Sequence, residues 1–348
     1  MANLVRPFPL IIGHRGASGY RPEHTAPAYE LAFALGADSV EPDIVSTRDG
    51  VLVLRHENEI SGTTDVATRA EFLGRRSTKV VDGAELTGWF TEDFTWAELR
   101  TLQMRERLPA LRRSSATFDG RYPMLRLRDL LGLVDNVAES TDLTLGVVAE
   151  IKHATYFESI GLPLDELLAA ELNETGWNTN DGRLTVESFE LAVLAKIHER
   201  GVHGKRVYLA EARGRPYDEV AQHGSRSSRY ADQLTPAGLS RLSGVVHGVS
   251  VPKALVLPVG LDTAGGASEL VGLAHAAGLE IYCWTLRPEN TFLAGPYRGE
   301  GLEADFGDWP GEFRAVMSTG VDGVFVDHPD LAVAVRAGLR GGPVGGVA

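Results

Sequence analysis

The stretch HRGASGYRPEHTAPAYELAFALGADSVEPDIVSTRDGVLVLRHE, from His14 to Glu57, decides the reading of this chain. The apolar run PLIIGH (Pro9 to His14) predicts a buried strand ending on His14-Arg15-Gly16. SVEPDIV (Ser39 to Val45) predicts a second strand, and Glu41 and Asp43, two residues apart on it, share a face. Arg48-Asp49-Gly50 supplies a turn, after which VLVLRH delivers His56 at its end. Acid-base and charged groups gathered at the ends of short apolar strands are how a parallel-sheet enzyme displays its chemistry.

Working outward, further strand-like runs follow: Leu145 to Ile151, Arg183 to Phe189, Arg206 to Ala210, Gly244 to Val251, Glu280 to Thr285 and Asp322 to Asp327. Between them Leu164, Leu167, Leu168 and Leu172, and later Leu270, Leu273, Ala274 and Ala277, recur at helical spacing. This alternation predicts an α/β fold, a (β/α)8 TIM barrel, with Val51 to His56 as a hairpin-like extension of the second strand. Such a barrel needs about 250 residues, and the chain has 348. The surplus falls in three polar stretches, Glu57 to Pro123, Glu211 to Pro236 and Arg287 to Pro310, each following a strand and so expected on the active-site face. The first, with a helix-like piece from Trp96 to Met104, is expected to form a small cap inserted after the second barrel strand. Residues 1–340 then make a single catalytic domain, and the tail GGPVGGVA, 341–348, is expected to be disordered.

Glu41 and Asp43, joined by Glu150 at another strand end, make an all-oxygen donor set that suits one divalent cation, Ca2+, Mg2+ or Mn2+. No Cys or His triad with zinc spacing competes. Rim carboxylates are often merely tied up in ion pairs, and an isolated strand-end histidine is more often a structural hydrogen-bonder. Two histidines bracketing Glu41 and Asp43, with Glu150 as a third carboxylate, outweigh those readings. Histidine suits proton transfer because its charge changes near neutral pH.

The arrangement resembles the glycerophosphodiester phosphodiesterase family. The likeness is carried by His14-Arg15-Gly16, Pro22-Glu23-His24-Thr25, Glu41-Pro42-Asp43, Thr47-Arg48-Asp49-Gly50 and His56. It continues in the family's order through Glu150-Ile151-Lys152, Glu187-Ser188-Phe189, Trp284-Thr285 and Gly323-Val324-Phe325-Val326-Asp327, with Glu57 to Pro123 the least matched part. The resemblance implies hydrolysis of glycerophosphodiesters to sn-glycerol 3-phosphate and an alcohol. It implies Glu41, Asp43 and Glu150 as metal ligands, and His14 and His56 as the catalytic acid-base pair. Arg15 would grip phosphate with its planar fork, and Lys152 would add a point charge or neutralise nearby carboxylates. Glu187 and Trp284 would line the glycerol and leaving-group side. His24 is read as organising the turn before the first helix, with Thr25 its N-cap.

Two positions depart from the commoner family pattern: Glu57 stands after His56 where Asp is more frequent, and Pro42 interrupts a strand. The longer carboxylate could still orient His56 or accept from a metal-bound water. A phospholipase D-like or cyclising lipid phosphodiesterase on the same barrel is the nearest alternative activity. A catalytically silent glycerophosphodiester-binding barrel is the alternative of another class, against which both histidines stand.

Composition narrows the partners. A hydrophobic share of 43% supports a sizeable core, and a formal charge of −13 argues against nucleic acid as a partner. An anionic substrate therefore needs a bound cation or a local basic patch such as Arg15 with Lys152. The single cysteine, Cys283, excludes an internal disulfide and reads as a small core residue within IYCWT. No run approaches the roughly 20 apolar residues of a membrane span. The chain as given is expected in the cytoplasm, with secretion after removal of a signal left open. The leaving alcohol, the native cation and the oligomeric state stay open at this stage.

Overall fold

The computed structural model describes residues 8–257 and 269–340; the 341–348 tail lies outside the described residues. Twelve strands are described: β1 Leu10–His14, β2 Ser39–Glu41, β3 Asp43–Ser46, β4 Leu52–Leu54, β5 Ser77–Val81, β6 Ala84–Gly88, β7 Gly146–Ile151, β8 Leu184–Ser188, β9 Lys205–Leu209, β10 Gly248–Pro252, β11 Glu280–Leu286 and β12 Gly323–Val326. β2 and β3 are two halves of one barrel strand, split at Pro42, which has no N–H to give the ladder. The Pro42 carbonyl still accepts from Glu150 N at 2.9 Å. Parallel pairing runs from β2 through β1, β12, β11, β10, β9 and β8 to β7. The ring closes where β7 pairs with β2 at Ser39–Gly146 and with β3 at Asp43–Glu150. This is the closed eight-stranded parallel barrel expected from the sequence, and β4 folds back antiparallel on β3 as the hairpin extension.

Alternation along the strands separates two packed layers. Ile12, Val148, Val207, Tyr282 and Phe325 point inward and pack together inside the barrel. Their neighbours, among them Ile11, Val147, Ile281 and Val324, face the surrounding helices. Burying each such side chain stabilises the fold by about 1.5–3 kcal/mol. Stepping two residues along from Ile12, Val148, Tyr282 and Phe325 reaches His14, Glu150, Trp284 and Asp327, so polar residues at the C-terminal strand ends form the next layer on the same face.

The helices follow their apolar spacing. Leu164–Thr175 buries Leu164, Leu168 and Leu172, and Leu270–Ala276 buries Val271 and Ala274. Ala26–Ala34 begins where Thr25 Oγ1 accepts from Ala28 N at 3.3 Å. Two expected boundaries move. The helix-like piece from Trp96 ends at Leu99, because Met104 bridges Thr64 in extended backbone, and the strand expected from Gly244 starts only at Gly248, after the chain turns out of the helix Pro236–Leu242. The 57–123 stretch holds the β5–β6 hairpin and short helices, among them Trp96–Leu99 and Arg113–Ala116. Cys283 is fully buried. No helix among the described residues is long and apolar enough to cross a membrane.

Candidate active site

His14, Arg15, Glu41, His56, Glu150, Lys152, Glu187 and Trp284 all line one cavity of about 550 Å³ at the C-terminal strand ends. β1 and β2 place His14 opposite Glu41, and β7 and β8 place Glu150 opposite Glu187. Immediately after β1 the backbone turns sharply: Arg15 adopts φ +58 and Gly16 φ +86. Gly16 admits no side chain, since a Cβ there would lie 2.6 Å from the Ala28 backbone. The turn aims Arg15 N at Glu41, whose Oε2 it meets at 3.0 Å. A non-glycine residue in the left-handed region is backbone strain that the surrounding contacts must hold in place.

Oxygens of Glu41, Glu150 and Glu187 lie within 4.8 Å of one another. Burial, reinforced by the charges of Asp43 and Glu150, holds Glu41 well above the usual carboxylate range. Burial and the same two neighbours do the same to Glu187. Glu150 is pushed up to about 8 by burial, against the pull of Lys152, whose Nζ donates to Glu150 Oε1 at 2.8 Å. Asp43, 1% exposed, is not among the residues lining that cavity, unlike Glu41 and Glu150. Its Oδ2 takes His24 Nε2 at 2.9 Å and pairs with Arg15 Nε at 3.2 Å. Burial would raise Asp43, but surrounding positive groups, Arg15 and Lys152 among them, hold it well below the ordinary range. Glu41 Oε1, Asp43 Oδ1 and Glu187 Oε2 are buried without a hydrogen-bond partner. Buried oxygens left without donors are what an all-oxygen cation cradle presents.

Each histidine has a carboxylate behind it. His14 Nδ1 lies 2.7 Å from Asp327 Oδ1, and His56 Nδ1 is bonded to Glu57 Oε1. An ionised carboxylate only accepts, so both rings donate from Nδ1 and carry the lone pair on Nε2, which in His56 faces Lys152 Nζ at 3.3 Å. Burial and then Arg15 lower His14 to about 4; burial, Arg15 and Lys152 lower His56 to about 3.

His24 goes further than its assigned turn-organising role, being fully buried between the Tyr29 hydroxyl at 2.7 Å and Asp43. His153, with φ +51, leaves the strand path and pairs with Asp82 of the β5–β6 turn at 2.6 Å. Sequence reading passed over Asp327 as a working residue, although its place at the end of β12 was the available signal. Arg107 and Arg112 gave no such signal, because long polar loops carry no periodicity, and Glu23 entered only as part of the Pro22-Glu23-His24-Thr25 motif. Trp284 Nε1 has no hydrogen-bond partner, and the ring packs edge-on against Phe189 at 5.9 Å.

A sequence model of the Glycerophosphoryl diester phosphodiesterase family matches residues 14–331. The chain is 29% identical over 332 residues to a glycerophosphodiester phosphodiesterase of Arabidopsis thaliana, covering 92% of this chain and 83% of that protein. It is 29% identical over 362 residues to one from Haemophilus influenzae, covering 95% and 90%. Among solved structures, an Oleispira antarctica phosphodiesterase in complex with the product sn-glycerol-3-phosphate aligns with TM-score 0.61 at 18% identity, covering 95% of this chain and 97% of that one. A glycerophosphodiester phosphodiesterase from Thermotoga maritima aligns with TM-score 0.52 at 19% identity, covering 95% and 100%. At those identities the structures bear on the fold, and they share the barrel.

Proposed function

The chain belongs to the glycerophosphoryl diester phosphodiesterase family, and from that premise we propose that it hydrolyses glycerophosphodiesters to sn-glycerol 3-phosphate and an alcohol with the help of one divalent cation. The observation that carries the reading is the convergence of two carboxylate-backed histidines, Arg15 and Lys152 on a cavity floored by buried carboxylates. Glu41, Glu150 and Glu187, with oxygens within 4.8 Å of one another, fit a hard cation, and Asp43, whose Oδ1 has no hydrogen-bond partner, is a further candidate ligand outside that trio. When bound, the cation supplies charge neutralisation of the phosphodiester and of the charge that develops on it.

Arg15 and Lys152 hold the phosphate oxygens in reach of both rings. The anionic diester raises the two lowered histidines, so that one ring takes a proton from the attacking hydroxyl or water while the other gives one to the departing alcohol oxygen. A second cavity of about 400 Å³ shares Glu150, Lys152, Phe189 and Glu211 with the first, and this is room for the alcohol. The test is a panel of glycerophosphocholine, glycerophosphoethanolamine, glycerophosphoinositol and diglycerol phosphate, each with Ca2+, Mg2+ or Mn2+ after chelation, and products followed by phosphorus NMR. Glycerol 3-phosphate is expected. A cyclic phosphate as end product, or no turnover of any member, overturns the assignment.

A further inference from the structure

One loop of the 57–123 stretch reaches the carboxylates behind both histidines. Asp327 divides its oxygens: Oδ1 takes His14 Nδ1 at 2.7 Å, while Oδ2 accepts from Arg112 Nη2 at 2.5 Å and Arg287 Nε at 2.6 Å. Glu57 divides its own the same way, Oε1 to His56 and Oε2 to Arg107 Nη1 at 2.8 Å. Arg107 also grips both oxygens of Glu23 at 2.8 and 2.6 Å, and Glu23 in turn accepts from Arg15 Nη1 at 3.1 Å. Arg112 is fixed from its other side by Glu289 Oε1 at 2.8 Å and the Ser18 carbonyl at 3.1 Å.

The loop bearing these arginines is itself pinned. Glu106 is 5% exposed, and its carboxylate accepts from Leu108 N at 2.8 Å and Ser115 Oγ at 2.5 Å. Its own N–H donates to Asp119 Oδ1 at 2.7 Å. Arg105 N reaches the Thr63 carbonyl at 2.9 Å, and Arg112 N closes a turn on the Leu108 carbonyl at 2.8 Å. A void of about 20 Å³ lined by His14, Arg15, Arg107, Arg112 and Asp327 marks how closely the loop meets the site.

We propose that Arg107 and Arg112 are positioning residues for the reaction, each fixing from the 57–123 loop the carboxylate that orients one of the two histidines. A carboxylate bonded only to a ring can still rotate; one whose second oxygen is held by a guanidinium cannot, and the ring plane is set with it. The stretch least matched to the family by sequence thereby belongs to the catalytic apparatus. The inference rests on the phosphodiesterase reading for the importance of proton transfer, but its geometry can be tested apart from turnover.

The experiment compares Arg112→Met, Arg107→Met and the corresponding Lys variants with the full-length wild type. Arg69→Met, which removes a pair with Asp65 in the same stretch, is the control. Histidine-labelled protein gives the low-field Nδ1–H resonances of His14 and His56. Arg112→Met is expected to shift or broaden that of His14, the smaller change because Arg287 Nε still holds Asp327 Oδ2 at 2.6 Å, and Arg107→Met chiefly that of His56. Misplacement of a catalytic group by about 1 Å costs up to roughly 100-fold, so kcat per folded molecule is expected to fall about 10- to 100-fold in both. KM stays within about twofold for Arg112→Met, because Arg112 touches no phosphate-binding residue, and rises for Arg107→Met through Glu23 and Arg15. The Lys variants read the same resonances where a Met variant does not fold. Unmoved resonances with unchanged kcat, whatever the change in thermal stability, overturn the proposal. A wild type that turns over no diester defeats the phosphodiesterase reading instead, and the NMR arm still decides on the clamp.

Discussion

Lys152 Nζ stands 3.3 Å from His56 Nε2 and 2.8 Å from Glu150 Oε1, so one ammonium joins the His56 ring to the carboxylate floor. It adds to burial and Arg15 in keeping His56 neutral. A charge-assisted bond contributes about 1.5–3 kcal/mol. Lys152→Met is therefore expected to lower kcat/KM at saturating cation by roughly 10- to 100-fold. Steady-state kinetics that match wild type would remove Lys152 from phosphate binding.

Proton transfer and phosphate binding separate by mutation. His14→Ala and His56→Ala are each expected to lower kcat about 10²- to 10⁴-fold with a smaller change in KM. Arg15→Ala should raise KM as well, because phosphate is held in ground and transition states alike. Wild-type turnover in both histidine variants would rule out the acid-base assignment.

The barrel and the strand-end residues could be read because both rest on local patterns. PLIIGH and SVEPDIV are apolar runs whose period fixes the face of His14, Glu41 and Asp43. The 57–123 loop could not be read this way: Arg107 and Arg112 act through partners 50 and 215 residues away, Glu57 and Asp327. No periodicity encodes such distances. The role of His24 is hidden for the same reason, since its link to Asp43 spans 19 residues and exists only once the turn between β1 and the first helix packs against β3.

The carboxylate floor makes a stability prediction. Glu41→Ala, Asp43→Ala and Glu150→Ala are each expected to weaken cation binding at least about tenfold, followed by the cation-induced rise in Tm without substrate. In the cation-free protein Glu41→Ala and Glu150→Ala should be no less stable than wild type, because removing one of several clustered buried carboxylates relieves repulsion, whereas Asp43→Ala should be destabilising, because it leaves buried His24 and Arg15 without their partner. A Tm that responds to cation identically in all three variants and in wild type would place the cation elsewhere.

Glu190 offers a pH signature away from that floor. It is 4% exposed and accepts from Thr155 N at 3.0 Å. Burial, aided by Asp82 and Asp218 and opposed by Thr155, pushes it up to about 7 from an ordinary 4.5. Between those values the folded state keeps a proton that the unfolded chain has released, so stability is greatest below the lower value and is lost as pH rises toward the upper. The loss is about 3 kcal/mol at roughly 1.4 kcal/mol per tenfold. Glu190→Gln should abolish this component, seen by urea unfolding as a gain over wild type that grows between pH 5 and pH 8. An offset equal at both pH values would refute it.

Because β1 finds its parallel neighbour in β12, the barrel seam joins the first of the described strands to the last. His14 waits on a partner 313 residues downstream. During translation β1 therefore carries an open edge until the ribosome has released β12, a period in which it can pair wrongly with other chains. A chain that stops short of β12 therefore keeps that edge of β1 open and leaves His14 without its Asp327 partner.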